Sequence, residues 1–336
     1  MTRQSLAFAL TVAVGWIGST RPSLAQGPPL SGSAVETWEI DTRACPQEMG
    51  TSPWACMAVR RIDGAGGSVR VDPSALLASM AGRPVVMLIH GNGYDDKDSD
   101  EEGFTIRDRL AGLGGLPEGT LFVIFDWPSE RTLRNLARDL SEKARRSRVA
   151  AYHLARFLEA SPEGSSICLM GQSYGGRIAL TVMHLLSGAE LKPFLREPGA
   201  QLNSSRPDLR LRCVALEAAA GHHWLDPGER LEGALTDCEA FLNLRNERDL
   251  ALSVYVYGSF TGPKRALGLL GLTERNRRRL GPLAERVEDI EHHALSGRRH
   301  TLFPRALTYP CVARRIAAYT SFSDVSAGLG GKFEAR

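Results

Sequence analysis

The sequence predicts an α/β fold, a mostly parallel sheet covered by helices on both faces with an antiparallel hairpin on one edge near the N-terminus. Three observations carry this expectation. Strand-like apolar runs alternate with helix-like stretches, the order that parallel crossover connections require. The runs Val85-Val86-Met87-Leu88-Ile89 and Leu121-Phe122-Val123-Ile124-Phe125 are continuous rather than alternating, as strands buried on both faces are. A glycine-rich turn joins the run Ile167-Cys168-Leu169-Met170 directly to the helix-like Gly176-Arg177-Ile178-Ala179-Leu180.

The elements follow in chain order. Arg3 precedes an apolar run over 6–18, and Ser23-Leu24-Ala25 alternates small residues as a signal peptidase requires, so 1–25 reads as a cleaved secretory signal. The destination is then the periplasm or the exterior. The run is shorter than the roughly 18 to 20 apolar residues of a membrane span, and no integral membrane segment is expected after cleavage. Residues 26–34, with Gly27-Pro28-Pro29, read as a flexible leader, 35–325 as one α/β domain, and 326–336 as a flexible tail. Within the domain, 35–43 and 54–62 form the edge hairpin. Strands follow at 84–89, 121–127, 165–170, 210–216, 238–244 and 286–290, with helices at 132–160, 176–187 and 306–320. The segment 258–285 is available as a lid or cap.

Composition narrows the function classes. With 43% apolar and 24% charged residues in 336, the chain can build a full core and is too apolar for disorder. Losing Arg3 and Arg21 with the signal lowers the net charge from +3 to +1, which argues against a nucleic-acid partner. Six cysteines without any C-x-x-C spacing give no zinc pattern, but export permits disulfides. The hairpin register that sets Cys45 opposite Cys56 also sets Asp41 opposite Arg60, and opposed Cα atoms lie within disulfide reach. Cys168 and Cys213 fall in apolar strands as free thiols, and Cys238 with Cys311 is a possible second bridge.

The chemistry concentrates in Gly171-Gln172-Ser173-Tyr174-Gly175. A nucleophile lifted on a tight strand-to-helix turn needs neighbours without bulk, and the helix N-terminus beyond it favours developing negative charge. Upstream, one strand ends in His90-Gly91-Asn92-Gly93 and the next in Phe125-Asp126-Trp127-Pro128-Ser129. Together, H-G-x-N, W-P-S and the serine elbow resemble a bacterial α/β-hydrolase family of largely unknown function, over about residues 84–319.

That resemblance implies an α/β-hydrolase-fold serine hydrolase without metal or cofactor, acting on a small acyl substrate such as a carboxylic ester. Asn92 and Tyr174 become the backbone oxyanion donors, and His90 shapes its loop. The chain order of the fold places the acid and then the histidine after Ser173. Asp249, in Glu247-Arg248-Asp249-Leu250-Ala251-Leu252, matches the family's acid, with Glu217 as its competitor one strand earlier. Of His292, His293 and His300, only His300 lies in a loop resembling the family's G-H-x-x-F segment, with Arg299 where glycine is usual; His293 is the alternative base. His222 and His223 fall out of order and read as rim or solvated residues. A binding protein that keeps the fold without turnover, and an acyltransferase or peptidase using the same triad, remain as rival functions.

Two other features read blandly. The acidic run 95–102 begins like a calcium loop, but counted from Asp96 it has Glu101 at the sixth position and Arg107 at the twelfth, which rejects an EF-hand and leaves a solvated loop. Arg275, Arg277, Arg278 and Arg279 read as a solvated helix face.

Overall fold

The computed structural model describes residues 35–50, 52–63, 67–94, 96–130, 136–193, 198–254 and 265–334. The proposed signal and leader, and 258–264 of the proposed lid, lie outside the described residues.

The strands are β1 (Glu36–Asp41), β2 (Ala58–Ile62), β3 (Ser68–Val71), β4 (Pro84–Ile89), β5 (Leu121–Asp126), β6 (Ser166–Gln172), β7 (Arg210–Leu216), β8 (Cys238–Arg245), β9 (Val287–Glu291) and β10 (Lys332–Glu334). They form one sheet in the order β10-β9-β8-β7-β6-β4-β5-β1-β2-β3, parallel except where β2 runs against β1 and β3. The helices are α1 (Pro73–Met80), α2 (Asp96–Gly112), α3 (Leu136–Leu158), α4 (Tyr174–Leu186), α5 (Leu250–Val254), α6 (Leu267–Leu270), α7 (Glu274–Leu280), α8 (His293–Ser296), α9 (Phe303–Ala306) and α10 (Pro310–Thr320).

Residue alternation along each strand sends successive side chains to opposite faces, so a continuous apolar strand serves two cores at once. Val85, Met87 and Ile89 of β4 pack with Leu154 and Phe157 of α3 and Ile178 and Val182 of α4. Val86 and Leu88 pack on the other face with Ile106 and Leu110 of α2 and Ile316 and Tyr319 of α10. Every residue of α4 is buried, which makes it the central helix. Local caps set other starts: Asp72 accepts from the Ser74 N–H ahead of Pro73, and Thr273 and Asn276 form a reciprocal capping box at α7. Among the described residues, no helix is long and apolar enough to cross a membrane.

The antiparallel edge near the N-terminus is present as expected, with β1 and β2 extended by an outermost β3 that the sequence did not reveal, and β1 pairs parallel with β5. Four other expectations are corrected. The register is two residues away from the expected one, with Asp41 opposite Ala58 and Glu39 opposite Arg60, which form the ion pair. Strand β1 ends in a turn, where the Arg43 N–H donates to the Asp41 carboxylate and the Cys45 N–H to the Thr42 carbonyl, and a 3-10 turn at Pro53–Ala55 precedes β2. Cys45 and Cys56 are nevertheless disulfide-bonded, with Cα atoms 4.8 Å apart, in the loops beyond the ladder. The other four cysteines are free thiols, so Cys238 and Cys311 form no second bridge.

The third correction concerns the acidic run, which opens helix α2 rather than a solvated loop and buries Ser99 against Asp126. The fourth is the tail, where Lys332–Glu334 pairs with β9. The described part of the proposed lid is body rather than cover, since Leu267, Leu269 and Leu272 belong to the core. The arginine run of α7 is partly engaged: Arg277 pairs with buried Asp289 at 2.7 Å and Arg279 with Asp226 at 3.4 Å.

Candidate active site

The chemistry-bearing residues gather at the C-terminal ends of the parallel strands, where open α/β sheets place their sites. His90 follows β4, Asp126 ends β5, Ser173 follows β6, Glu217 follows β7, Asp249 lies just beyond β8, and His292 follows β9.

Ser173 sits between β6 and α4 with φ 56° and ψ −114°, a conformation that non-glycine residues adopt only under strain. Its neighbours explain the glycines. A Cβ on Gly175 would lie 2.0 Å from the Ile89 carbonyl oxygen, and one on Gly171 would lie 2.3 Å from the Gly175 carbonyl carbon. The Ser173 N–H donates to the Leu216 carbonyl at 2.9 Å, and its carbonyl accepts from Ala219 at 2.9 Å, tying the turn to the end of β7.

His300 meets both acids that the sequence offered as alternatives. Its Nδ1 lies 2.5 Å from Asp249 Oδ2 and 2.9 Å from Glu217 Oε2. The cause is register: β7 and β8 are adjacent with Leu216 opposite Leu244, so the turns that follow them converge. Glu217 has φ 49°, held there as its N–H donates to the Leu244 carbonyl at 2.8 Å. Its Oε2 also accepts from the Thr301 N–H at 2.6 Å, and Gln172 Nε2 donates to the Thr301 carbonyl at 3.4 Å. Residues next to Ser173 and next to His300 are therefore bonded to each other.

Burial, opposed by His300 and reinforced by the Asp249 charge, pushes Glu217 up to about 8. Burial acts to raise Asp249 as well, but the charge and hydrogen bond of His300 outweigh it and hold Asp249 below its usual range. For His300, burial favours the neutral ring, yet Asp249 and then Glu217 override it and hold the imidazole well above its ordinary value. Two carboxylates this close do not both ionise readily, so the site holds a charged Asp249 beside a protonated Glu217.

The remaining candidates fall elsewhere. His293 Nδ1 faces Glu291 at 3.1 Å and Glu247 at 3.7 Å, away from the Asp249 carboxylate. His292, which the sequence reading passed over, lies behind Glu217, with Nε2 3.4 Å from Oε1 and Nδ1 3.0 Å from Ser296 Oγ. Burial drives His292 down to about 4, so it stands there as a neutral ring. Its place directly after β9, next to β8, is the signal that could have found it. His222 is half-buried, its Nδ1 3.0 Å from Asn276 Oδ1.

Asn92 lies in the loop after β4, which Ser129 clamps: the Gly93 N–H donates to the Ser129 carbonyl and the Tyr94 N–H to Ser129 Oγ, both at 3.0 Å. A Cβ on Gly91 would meet Gln172 Oε1 at 2.1 Å, so the loop rests on the strand that carries Ser173. Tyr174 is the first residue of α4, where helix amides point outward along the axis, and its hydroxyl donates to the Leu140 carbonyl at 3.0 Å.

Glu217, Asp249 and His300 also present ligand atoms within 4.8 Å of one another, which a cation requires. His300 and Thr301 already engage Asp249 Oδ2 and Glu217 Oε2, while Glu217 Oε1 has no hydrogen-bond partner among the described residues.

The strand order, the parallel crossovers and the serine elbow after β6 define the α/β-hydrolase fold. No family model matches the sequence, and no curated protein does. Among solved structures, an esterase from the bacterial hormone-sensitive lipase family aligns over 98% of this chain and 99% of its own, at 12% identity and a TM-score of 0.42. Esterase B from Lactobacillus rhamnosis, in a form inhibited by a tributyrin phosphonate, aligns over 74% of each chain at 12% identity and a TM-score of 0.30. The fold assignment rests on connectivity rather than on these distant alignments.

Proposed function

We propose that the chain is a serine hydrolase that cleaves a carboxylic ester or related acyl substrate through a covalent acyl-enzyme. Ser173 is the nucleophile, His300 its base, Asp249 the acid that orients His300, and the Asn92 and Tyr174 amides hold the oxyanion. The observation that carries this reading is the His300 hydrogen bond: Nδ1 is taken by Asp249 at 2.5 Å, while Nε2 has no hydrogen-bond partner among the described residues. An imidazole so held presents the Nε2 lone pair, takes the serine proton during attack and returns it to the leaving alcohol. Asp249 stabilises the imidazolium, and the amide pair stabilises charge that appears only in the tetrahedral intermediate. Glu217, neutral and bonded to the Thr301 N–H, fixes the loop that carries His300.

The Cys45–Cys56 bridge, together with the signal-like 1–25, supports action in an oxidising compartment outside the cytoplasm. The activity is tested with Ser173→Ala. We expect loss of fluorophosphonate labelling and a fall in ester turnover of about a thousandfold or more, with the melting temperature nearly unchanged. Wild-type turnover in that variant would refute the assignment.

A further inference from the structure

We propose that the cavity on the flank of α4, between Arg177 and Arg230, is a binding site for an oxyanion, of the carboxylate or phosphate class. The cavity encloses about 280 Å³ and is walled in part by Arg148, Arg177, Lys192, Trp224, Glu229 and Arg230. It lies apart from the catalytic residues, although Arg177 follows Ser173 by four residues, about 6 Å along the helix.

The argument turns on Arg177. Its side chain is more than nine-tenths buried (6% exposed), and among the described residues its guanidinium makes no ion pair or hydrogen bond. It is held instead by rings, 4.9 Å from the Trp224 centroid and 6.0 Å from that of Tyr174. Arg230 lies over the same Trp224 ring at 5.2 Å, so two guanidiniums share one indole. At Arg177, ring stacking holds the cation in place but leaves its in-plane N–H donors unspent. Burial first, and the Arg177 charge second, push Arg230 below its ordinary value, the mark of like charges brought together.

The other cations do not neutralise the arrangement, and two of them are already engaged. Arg148 donates to the Lys192 carbonyl at 2.6 Å, and Lys192 pairs with Glu232 at 3.2 Å. Glu229, the one carboxylate in the lining, acts on Arg230 and approaches His223 at 3.9 Å. A planar oxyanion offers Arg177 a bidentate partner and relieves the repulsion between the two guanidiniums.

Isothermal calorimetry of the wild-type protein with inorganic phosphate, at constant ionic strength, tests the site. We expect saturable binding at one site, weakened at least about tenfold by Arg177→Gln and by Arg230→Gln, as loss of a charge-assisted fork requires. Arg70→Gln, on exposed β3, should leave the affinity unchanged. If Arg177→Gln does not fold, Arg230→Gln at the partly exposed rim decides alone. Absence of saturable binding, or equal affinity in the foldable arginine variants and wild type, overturns the proposal. The source of the anion is read by kinetics. Phosphate that inhibits turnover of a carboxylate-bearing ester but not of a neutral one places the oxyanion on the substrate. Phosphate that binds without inhibiting either marks a free ligand.

Discussion

Two His–Asp pairs stand at the C-terminal ends of the same sheet, and they differ in what each leaves available. His90 is enclosed: Nδ1 lies 2.9 Å from the Gly91 carbonyl, Nε2 lies 3.2 Å from Asp126, and the ring stacks between Tyr94 and Trp127. Asp126 is in turn held by Ser99 and, at 3.0 Å, by Arg43. His300 is bound through one nitrogen only, and its side chain is 23% exposed against 3% for His90. A carboxylate beside an imidazole therefore does not by itself define a catalytic pair; what separates the two is the ring nitrogen that His300 leaves unbonded among the described residues. The enclosed pair braces the loop that carries Asn92, and the open pair is the one the proposed mechanism uses.

The largest expected contrast follows directly. His300→Ala should lower kcat by several orders of magnitude, about as much as removing a triad base elsewhere, while leaving the melting temperature little changed. His90→Ala should do the reverse in kind, destabilising the fold by about 3 kcal/mol because it removes one partner of the buried Asp126 carboxylate and the ring packed on Tyr94 and Trp127. Chemical denaturation and steady-state kinetics on both variants check this, and equal losses of activity at equal stability would erase the distinction.

A smaller contrast lies within the open pair. Asp249→Asn should cost about three to four orders of magnitude in kcat, whereas Glu217→Gln, which keeps an acceptor for the Thr301 N–H, should cost about tenfold or less. Since turnover needs a neutral His300, and Asp249 foremost holds the imidazole raised, kcat/KM should climb with pH through a midpoint above 6.5. Asp249→Asn should move that midpoint downward, whereas Glu217→Gln, which replaces one neutral group by another, should leave it nearly unchanged. A midpoint that stays fixed in Asp249→Asn would remove Asp249 from the pair.

The smallest effect is on stability. With Glu217 lifted from 4.5 to about 8, the folded protein keeps a proton that the unfolded chain releases, so this contribution is complete below 4.5 and lost as pH rises through 8. Melting of Glu217→Gln should gain on wild type between about pH 5 and pH 9, and parallel curves would show that Glu217 ionises normally.

The sequence made the centre of this arrangement readable and its margins opaque, for physical reasons. Strands Pro84–Ile89 and Arg210–Leu216 have the expected bounds because apolar runs buried on both faces end abruptly at polar or glycine residues. The elbow was legible because only glycine fits beside it. Ser68–Val71 and Lys332–Glu334 were not, since short strands with exposed side chains carry no hydrophobic period. Glu217 and Asp249 read as rivals because each follows its own strand. That both reach His300 depends on the neighbouring of β7 and β8, which spacing along the chain does not encode. The hairpin register failed for a related reason: β1 is held by its parallel pairing with β5, some eighty residues away, as well as by β2.

The short strand at Lys332–Glu334 sets one edge of the sheet. It occupies the hydrogen-bonding row of β9, whose five residues are all buried. A chain ending before Lys332 would bare that row over the length of β9, a longer template on which another strand could continue the ladder. Three residues thus replace the edge of a buried strand with a short one.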